Sequence, residues 1–133
     1  MIDAAGFISV STKLSVDAAT SRLEAAIAAR GMTLFAKVDH GEGARQAGME
    51  LRPTILFMFG AAKGGTPLMQ ANQVVGVDLP LKALIWQDEQ GVVSIGYVDP
   101  RWIADLRGLG PEPKAIAGKL QAMLADLVGG VAA

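Results

Sequence analysis

Two segments constrain this chain more than any others. Pro53–Phe59 reads PTILFMF and Leu79–Gln87 reads LPLKALIWQ. Each has the length of a strand and is apolar on both of the faces that alternate along one. In the first, Ile55, Phe57 and Phe59 point one way while Leu56 and Met58 point the other. In the second, only Lys82 interrupts the pattern. A half-exposed strand would alternate, so these two belong inside a sheet with cover against each face.

The remaining elements assemble around them. Gly6–Thr12 alternates and reads as a first strand. Ser15 caps a helix whose stripe is Val16, Ala19, Leu23, Ala26 and Ile27, with Gly31 to stop it. Met32–Asp39 is the next strand, and Asp39 with Glu42 has the spacing of a capping box for a short helix to about Gln46, ended by Gly48. After Phe59, Gly60–Gly65 reads as a turn, with Thr66 as N-cap and Pro67 first in a one-turn helix that ends near Asn72. Asp88–Gly91 joins Leu79–Gln87 to a fifth strand, Val92–Val98, which points Val93, Ile95 and Tyr97 inward. Asp99-Pro100 opens a short helix with Trp102, Ile103 and Leu106, stopped by Gly108. Glu112–Val128 presents Ile116, Leu120, Met123, Leu124 and Leu127 on one face and ends at Gly129-Gly130.

The order β-α-β-β-β-β-α, with hairpin-length links late in the chain, predicts an α+β domain with a mainly antiparallel sheet of about five strands and its helices on one face. Two long helices cover only one side. The second face then needs the short helices, a second subunit or both, and a homodimer is the expected cover.

At 133 residues the chain is long enough for one domain, spanning 1–133, with a core that needs neither disulfides nor metals. The formal charge of −1 and the dispersed basic residues supply no field for nucleic acid or an anionic membrane. There is no cysteine, which excludes thiolate chemistry and thiolate metal sites, and the single histidine thins the metal options further. MIDAAGFISVSTKLS lacks the regions of a signal peptide, and no continuous apolar run reaches the roughly 20 residues of a membrane helix. The expectation is a cytoplasmic, bacterial-type protein without cofactor or metal.

Polar residues in apolar surroundings mark candidate chemistry. Asp39 and His40 invite an acid/base dyad, but successive strand residues face opposite sides, which favours Asp39 as a cap and His40 as a hydrogen-bonding residue. Lys63-Gly64-Gly65-Thr66 sets a lysine beside backbone amides in a crude anion loop without the spacing of a phosphate loop; a plain turn needs the same residues. Lys82 must snorkel, pair or lose its proton, and Asp78 lies too far along an extended strand to meet it without a bend at Leu79-Pro80. Met32, Met49, Met58 and Met69 read as core filler rather than haem ligands, and Asn72 as a helix terminator.

Lys37-Val38-Asp39-His40, Glu50–Thr54 leading into Ile55–Gly60, Lys63–Asn72, Gly76–Lys82 and Tyr97–Pro100 together resemble the bacterial proteins grouped as Domain of Unknown Function 302. The likeness runs from the first helix to Gly108. Where the family often has Asn-Pro, this chain has Ala61-Ala62. The resemblance implies a small α+β domain similar in layout to the TATA-binding-protein-like folds, commonly self-associating, with no established activity. Its shared polar positions are here Asp39, His40, Thr66, Asn72, Asp78 and Lys82.

The leading expectation is a homodimeric binding module for a small anionic ligand, with a pocket built from His40, Lys63, Thr66, Asn72, Asp78 and Lys82. One alternative is an enzyme using His40 as general base and Lys82 as anchor. Another is a dimerisation or partner-docking domain in which these residues are caps and turns.

Overall fold

A computed structural model describes residues 5–133; residues 1–4, at the head of the stretch read for a leader, lie outside the described residues. The strands are β1 (Phe7–Thr12), β2 (Thr33–Asp39), β3 (Thr54–Gly60), β4 (Leu81–Gln87) and β5 (Val93–Val98). They form one sheet in the order β1-β5-β4-β3-β2, every neighbouring pair antiparallel. The helices are α1 (Val16–Ala29), α2 (His40–Gln46), α3 (Ala62–Ala71), α4 (Pro100–Leu106) and α5 (Pro111–Ala132), and a 3-10 turn covers Gln73–Asp78. This is the α+β layout that the sequence pattern predicts.

Local signals fix the helix starts. The Ser15 hydroxyl accepts from the Ala18 amide at 3.1 Å, Asp39 Oδ1 from the Glu42 amide at 2.9 Å and Asp99 Oδ1 from the Arg101 amide at 2.9 Å. Such caps each contribute about 0.5–2 kcal/mol. Glu42 does not complete a capping box: its carboxylate is held by the Arg45 guanidinium instead. Gly31, Gly48 and Gly108 follow their helices at φ of +71°, +75° and +64°, the left-handed conformation that glycine adopts without penalty.

Two helix boundaries differ from expectation. α3 begins at Ala62, four residues before the expected cap, so Thr66 and Pro67 lie within it. The Ala61 carbonyl already accepts from the Gly64 and Gly65 amides, which starts the helix without a side-chain cap. Pro67 lacks the N–H that would reach back one turn, but near a helix start this removes a single bond. α5 runs through Gly129-Gly130 to Ala132. Its last turn is held by buried Val131, by the Thr12 hydroxyl donating to the Ala132 carbonyl at 2.9 Å, and by Arg22 donating to the carbonyls of Gly130 and Ala133. At 22 residues α5 is long and apolar enough to cross a membrane by length and composition, and in the fold one face of it, with Ala117, Leu124, Leu127, Val128 and Val131, is buried.

The main core lies between the sheet and the α1–α5 layer. Leu23, Ile27, Phe57, Phe59, Ile85, Ile95 and Leu124 are almost wholly removed from water, at about 1.5–3 kcal/mol of burial each. A second cluster joins Leu68 of α3, Val75, Ile103 and Ala104 of α4, Leu109 and Ala117 of α5. The short helices α3 and α4 thus pack on α5 and extend the helical side. On the other face Leu56, Met58, Leu84 and Trp86 remain half-buried and Val38 exposed. There the Phe7 ring lies over Gly96 and reaches Trp86 with centroids 5.7 Å apart.

Candidate functional site

Where β3 ends and β4 begins, α3 and α5 do not close completely on the sheet. They leave a cavity of about 360 Å³. Phe59, Gly60 and Leu81 form its sheet side, Ala61, Ala62, Gly65, Thr66 and Met69 its α3 side, and Leu120 and Met123 its α5 side. Leu79 and Pro80, joined by a cis peptide bond, Gly64 and Gly76, Met32 just before β2 and Phe35 within it also line the cavity. Among the described residues, none that lines it carries a charge.

Gly64 and Gly65, which read as a turn, serve close approach, and so does Gly76. A β-carbon on Gly64 would stand 3.0 Å from Leu120 Cδ2, one on Gly65 3.2 Å from Leu79 Cδ1 and one on Gly76 3.3 Å from Met69 Sδ. Larger residues would push these walls apart or fill the space between them.

The six residues singled out from the sequence do not converge. Only Thr66 lines the cavity, at its exposed rim. Lys63 is exposed in the first turn of α3 and does not line it. Lys82 points to the open sheet face, in register with Met58 and Ala36, and its ammonium donates to the carbonyls of Asp78 at 3.0 Å and Pro80 at 3.3 Å. The chain does bend at Leu79-Pro80, but Lys82 meets the Asp78 backbone rather than its carboxylate.

That carboxylate belongs to Arg107, whose Nε donates to Oδ2 at 2.7 Å and Nη2 to Oδ1 at 3.3 Å. The hydrogen bond to Asp78 holds the guanidinium proton even more firmly than usual. Asn72 joins the same tie, accepting from the Val74 amide at 3.1 Å and donating to the Arg107 carbonyl at 3.4 Å. Asn72 and Asp78 therefore fasten the 3-10 turn to the end of α4.

His40 is exposed at the start of α2, at the opposite end of β2 from the cavity. The register sets Thr33 against Gly60 and Asp39 against Ile55. Six residues of strand span roughly 20 Å, so a pocket shared by His40 and the Lys63–Thr66 segment is not formed. Lys82 is closer in register but still four strand positions from His40, roughly 13 Å, which separates the base and anchor of the enzyme reading. Among the described residues no group of three or more His, Cys, Asp or Glu is arranged to hold a metal ion.

The residues missed in the sequence are Met32, Phe35, Phe59, Leu120 and Met123. Each has the composition of ordinary core. The one signal available was Phe35, a large aromatic on a strand with no apolar partner pattern.

These features define a two-layer α+β domain with an apolar cavity at one end of the sheet. Residues 8–127 match the family described as "Domain of unknown function DUF302", and the chain belongs to that family. The crystal structure of an uncharacterized conserved DUF302 protein from Bacillus stearothermophilus shares the fold at a TM-score of 0.87, with 19% identity, covering 96% of this chain and 98% of that one.

Two Brucella proteins, each named Fluoride-specific ion channel FluC 1, from Brucella suis biovar 1 (strain 1330) and Brucella abortus biovar 1 (strain 9-941), are 42% identical over 105 residues. That is 79% of this chain but only 41% and 39% of theirs. The chain thus spans about two fifths of these relatives.

Proposed function

We propose that this protein is a homodimeric cytoplasmic module that binds a small molecule in the cavity between α3 and α5. The observation that carries this reading is a formed space of about 360 Å³, at whose edges glycines let the walls meet in close contact. That volume lies within the range of small-molecule sites. A thermal-shift panel of carboxylates, phosphates, neutral aromatics and neutral aliphatics tests it. At least one class should raise the melting temperature of the native chain and leave Ala62→Trp, which blocks the mouth, unmoved. A flat response from every class removes the binding reading.

Self-association is supported by the open sheet face, where Leu56, Met58, Leu84 and Trp86 stand beside Phe7. Arg52 and Glu89, 3.9 Å apart, put both signs of charge near the Thr54 and Trp86 end of this face, which suits pairing of a surface with its own copy. Sedimentation should give a dimer for the native chain and a monomer for Trp86→Glu. A native monomer at high concentration ends this part of the proposal.

A second reading rests on the Brucella relatives. Proteins named as fluoride channels contain a stretch like this chain over about two fifths of their length, and on that reading the domain docks beside a membrane channel. Co-purification with a channel protein of the same organism, lost on Trp86→Glu, would favour it.

A further inference from the structure

We infer that the cavity takes a neutral, flat aromatic molecule of about a dozen non-hydrogen atoms, with Phe35 as its lid; this rests on the small-molecule reading above. Size comes first. A cavity of about 150 Å³ holds benzene, so about 360 Å³ holds roughly two fused rings. Charge comes second. Among the described residues the lining offers no ionised side chain and a single hydroxyl, that of Thr66 at the rim. A charged group carried inside would lose its water and meet no ionised side chain. The expected anionic ligand therefore does not suit this space, and Lys63, outside the lining, is not positioned to neutralise one within it.

Shape and surface decide between an aromatic and an aliphatic occupant. Met32, Met69 and Met123 present thioethers, and Phe35 and Phe59 present rings. Sulfur-to-ring and ring-to-ring contacts favour a flat aromatic over an alkyl chain of equal volume, and methionines adjust to its outline.

Phe35 is the unusual member. β2 shifts register between Leu34 and Ala36, and the extra residue is Phe35. A bulge re-aims the side chain it carries. Phe35 is 58% exposed although it lines the cavity, so its ring stands at the mouth with one side to water. A bound aromatic gives that ring a surface to cover.

The test is fluorescence titration of the full chain with 1-aminonaphthalene, which is neutral at pH 7. Saturable, blue-shifted emission at one probe per chain is expected. Phe35→Ala should weaken binding by up to about tenfold, the worth of one aromatic contact. Lys63→Ala should leave it unchanged. Ala62→Trp should abolish it, and Thr66→Trp, placed one turn along α3, serves if the first variant does not fold.

Tighter binding of 1-naphthoate with sensitivity to Lys63→Ala overturns the neutral-ligand inference and leaves the binding module standing. So does tighter binding of 1-decanol. Unchanged affinity in Phe35→Ala overturns the lid. Absence of any binding, together with a flat thermal-shift panel, removes the binding module itself.

Discussion

Leu120 of α5 stands 3.0 Å from the place where a β-carbon on Gly64 of α3 would lie. The two helices meet where nothing larger than hydrogen fits without a neighbour moving. In most helices Gly→Ala gains about 1 kcal/mol; here crowding against Leu120 takes back much of that gain. Gly64→Ala should change stability by less than about 1 kcal/mol, and Gly64→Val should cost about 1–3 kcal/mol. Thermal unfolding of both variants checks this, and a Gly64→Val protein as stable as the native one would show that α3 is not seated against Leu120.

Gly96 carries the ring of Phe7. An added β-carbon would lie 2.2 Å from Phe7 Cζ, so the ring must leave Gly96 and its contact with Trp86. Gly96→Ala should cost about 1–3 kcal/mol by urea denaturation. In a Phe7→Ala background the same substitution should cost much less, because the clash is already gone. Additive effects in that cycle would contradict the arrangement.

The Asp78 and Arg107 pair fixes the 3-10 turn, which supplies Gly76 and leads into Leu79 and Pro80 of the cavity. Arg107→Ala should lower the melting temperature by a few degrees. Arg107→Lys should not restore it, since an ammonium does not reproduce the fork that meets both carboxylate oxygens. Probe binding in the cavity should weaken in parallel, measured by the same fluorescence.

Tyr97 is the only tyrosine in the chain, so the rise in absorbance at 295 nm on phenolate formation reports its titration, over a background from the two tryptophans. Burial raises its pKa above the ordinary phenol value of 10.0, opposed by the hydrogen bond from Gln121. The sign follows from linkage. A group that holds its proton more tightly when folded contributes stability below the unfolded pKa, and that stability is lost as pH rises through the folded value. The phenol should titrate above 10 in the native chain and near 10 in urea, with unfolding promoted on the alkaline side. Gln121→Leu should raise the native midpoint further.

Asp99 is almost fully buried and caps α4 through the Arg101 amide. Asp99→Ala should cost about 0.5–2 kcal/mol, the range for a lost cap, whereas Asp99→Asn, which keeps an accepting oxygen, should cost less. Chemical denaturation distinguishes the two.

How much of this was legible in the sequence follows from the kind of signal each feature leaves. Outer strands such as β1 betray themselves by period two and the central β3 and β4 by short runs apolar on both faces, while Ser15, Asp39 and Asp99 cap where a short polar residue precedes an apolar stripe. Thr66 misled because Thr-Pro after glycines has the composition of a helix start, while the actual start rests on the Ala61 carbonyl, which has no residue signature. Gly64 and Gly65 were ambiguous for the same reason: glycine marks both a turn and a close approach, and only the position of Leu120 and Leu79 decides.

The candidate site was the least legible part. The polar residues that stand out in the sequence include Asn72 and Asp78, which tie the 3-10 turn to Arg107, and His40, which lies at the far end of β2. The cavity is lined by apolar residues from separate stretches, Met32 to Met123, and the distances between them along the chain carry no periodic pattern. Its existence depends on how α3 and α5 settle on the sheet, which is tertiary packing.

The bond from Thr12 to the Ala132 carbonyl joins residues 120 positions apart, and among the described residues β1 pairs only with β5. During translation β1 leaves the ribosome with no neighbour to receive it until β5, roughly 80 residues later, has been made. Chaperone contact with the nascent chain is therefore expected to concentrate on β1 and to fade once β5 has emerged.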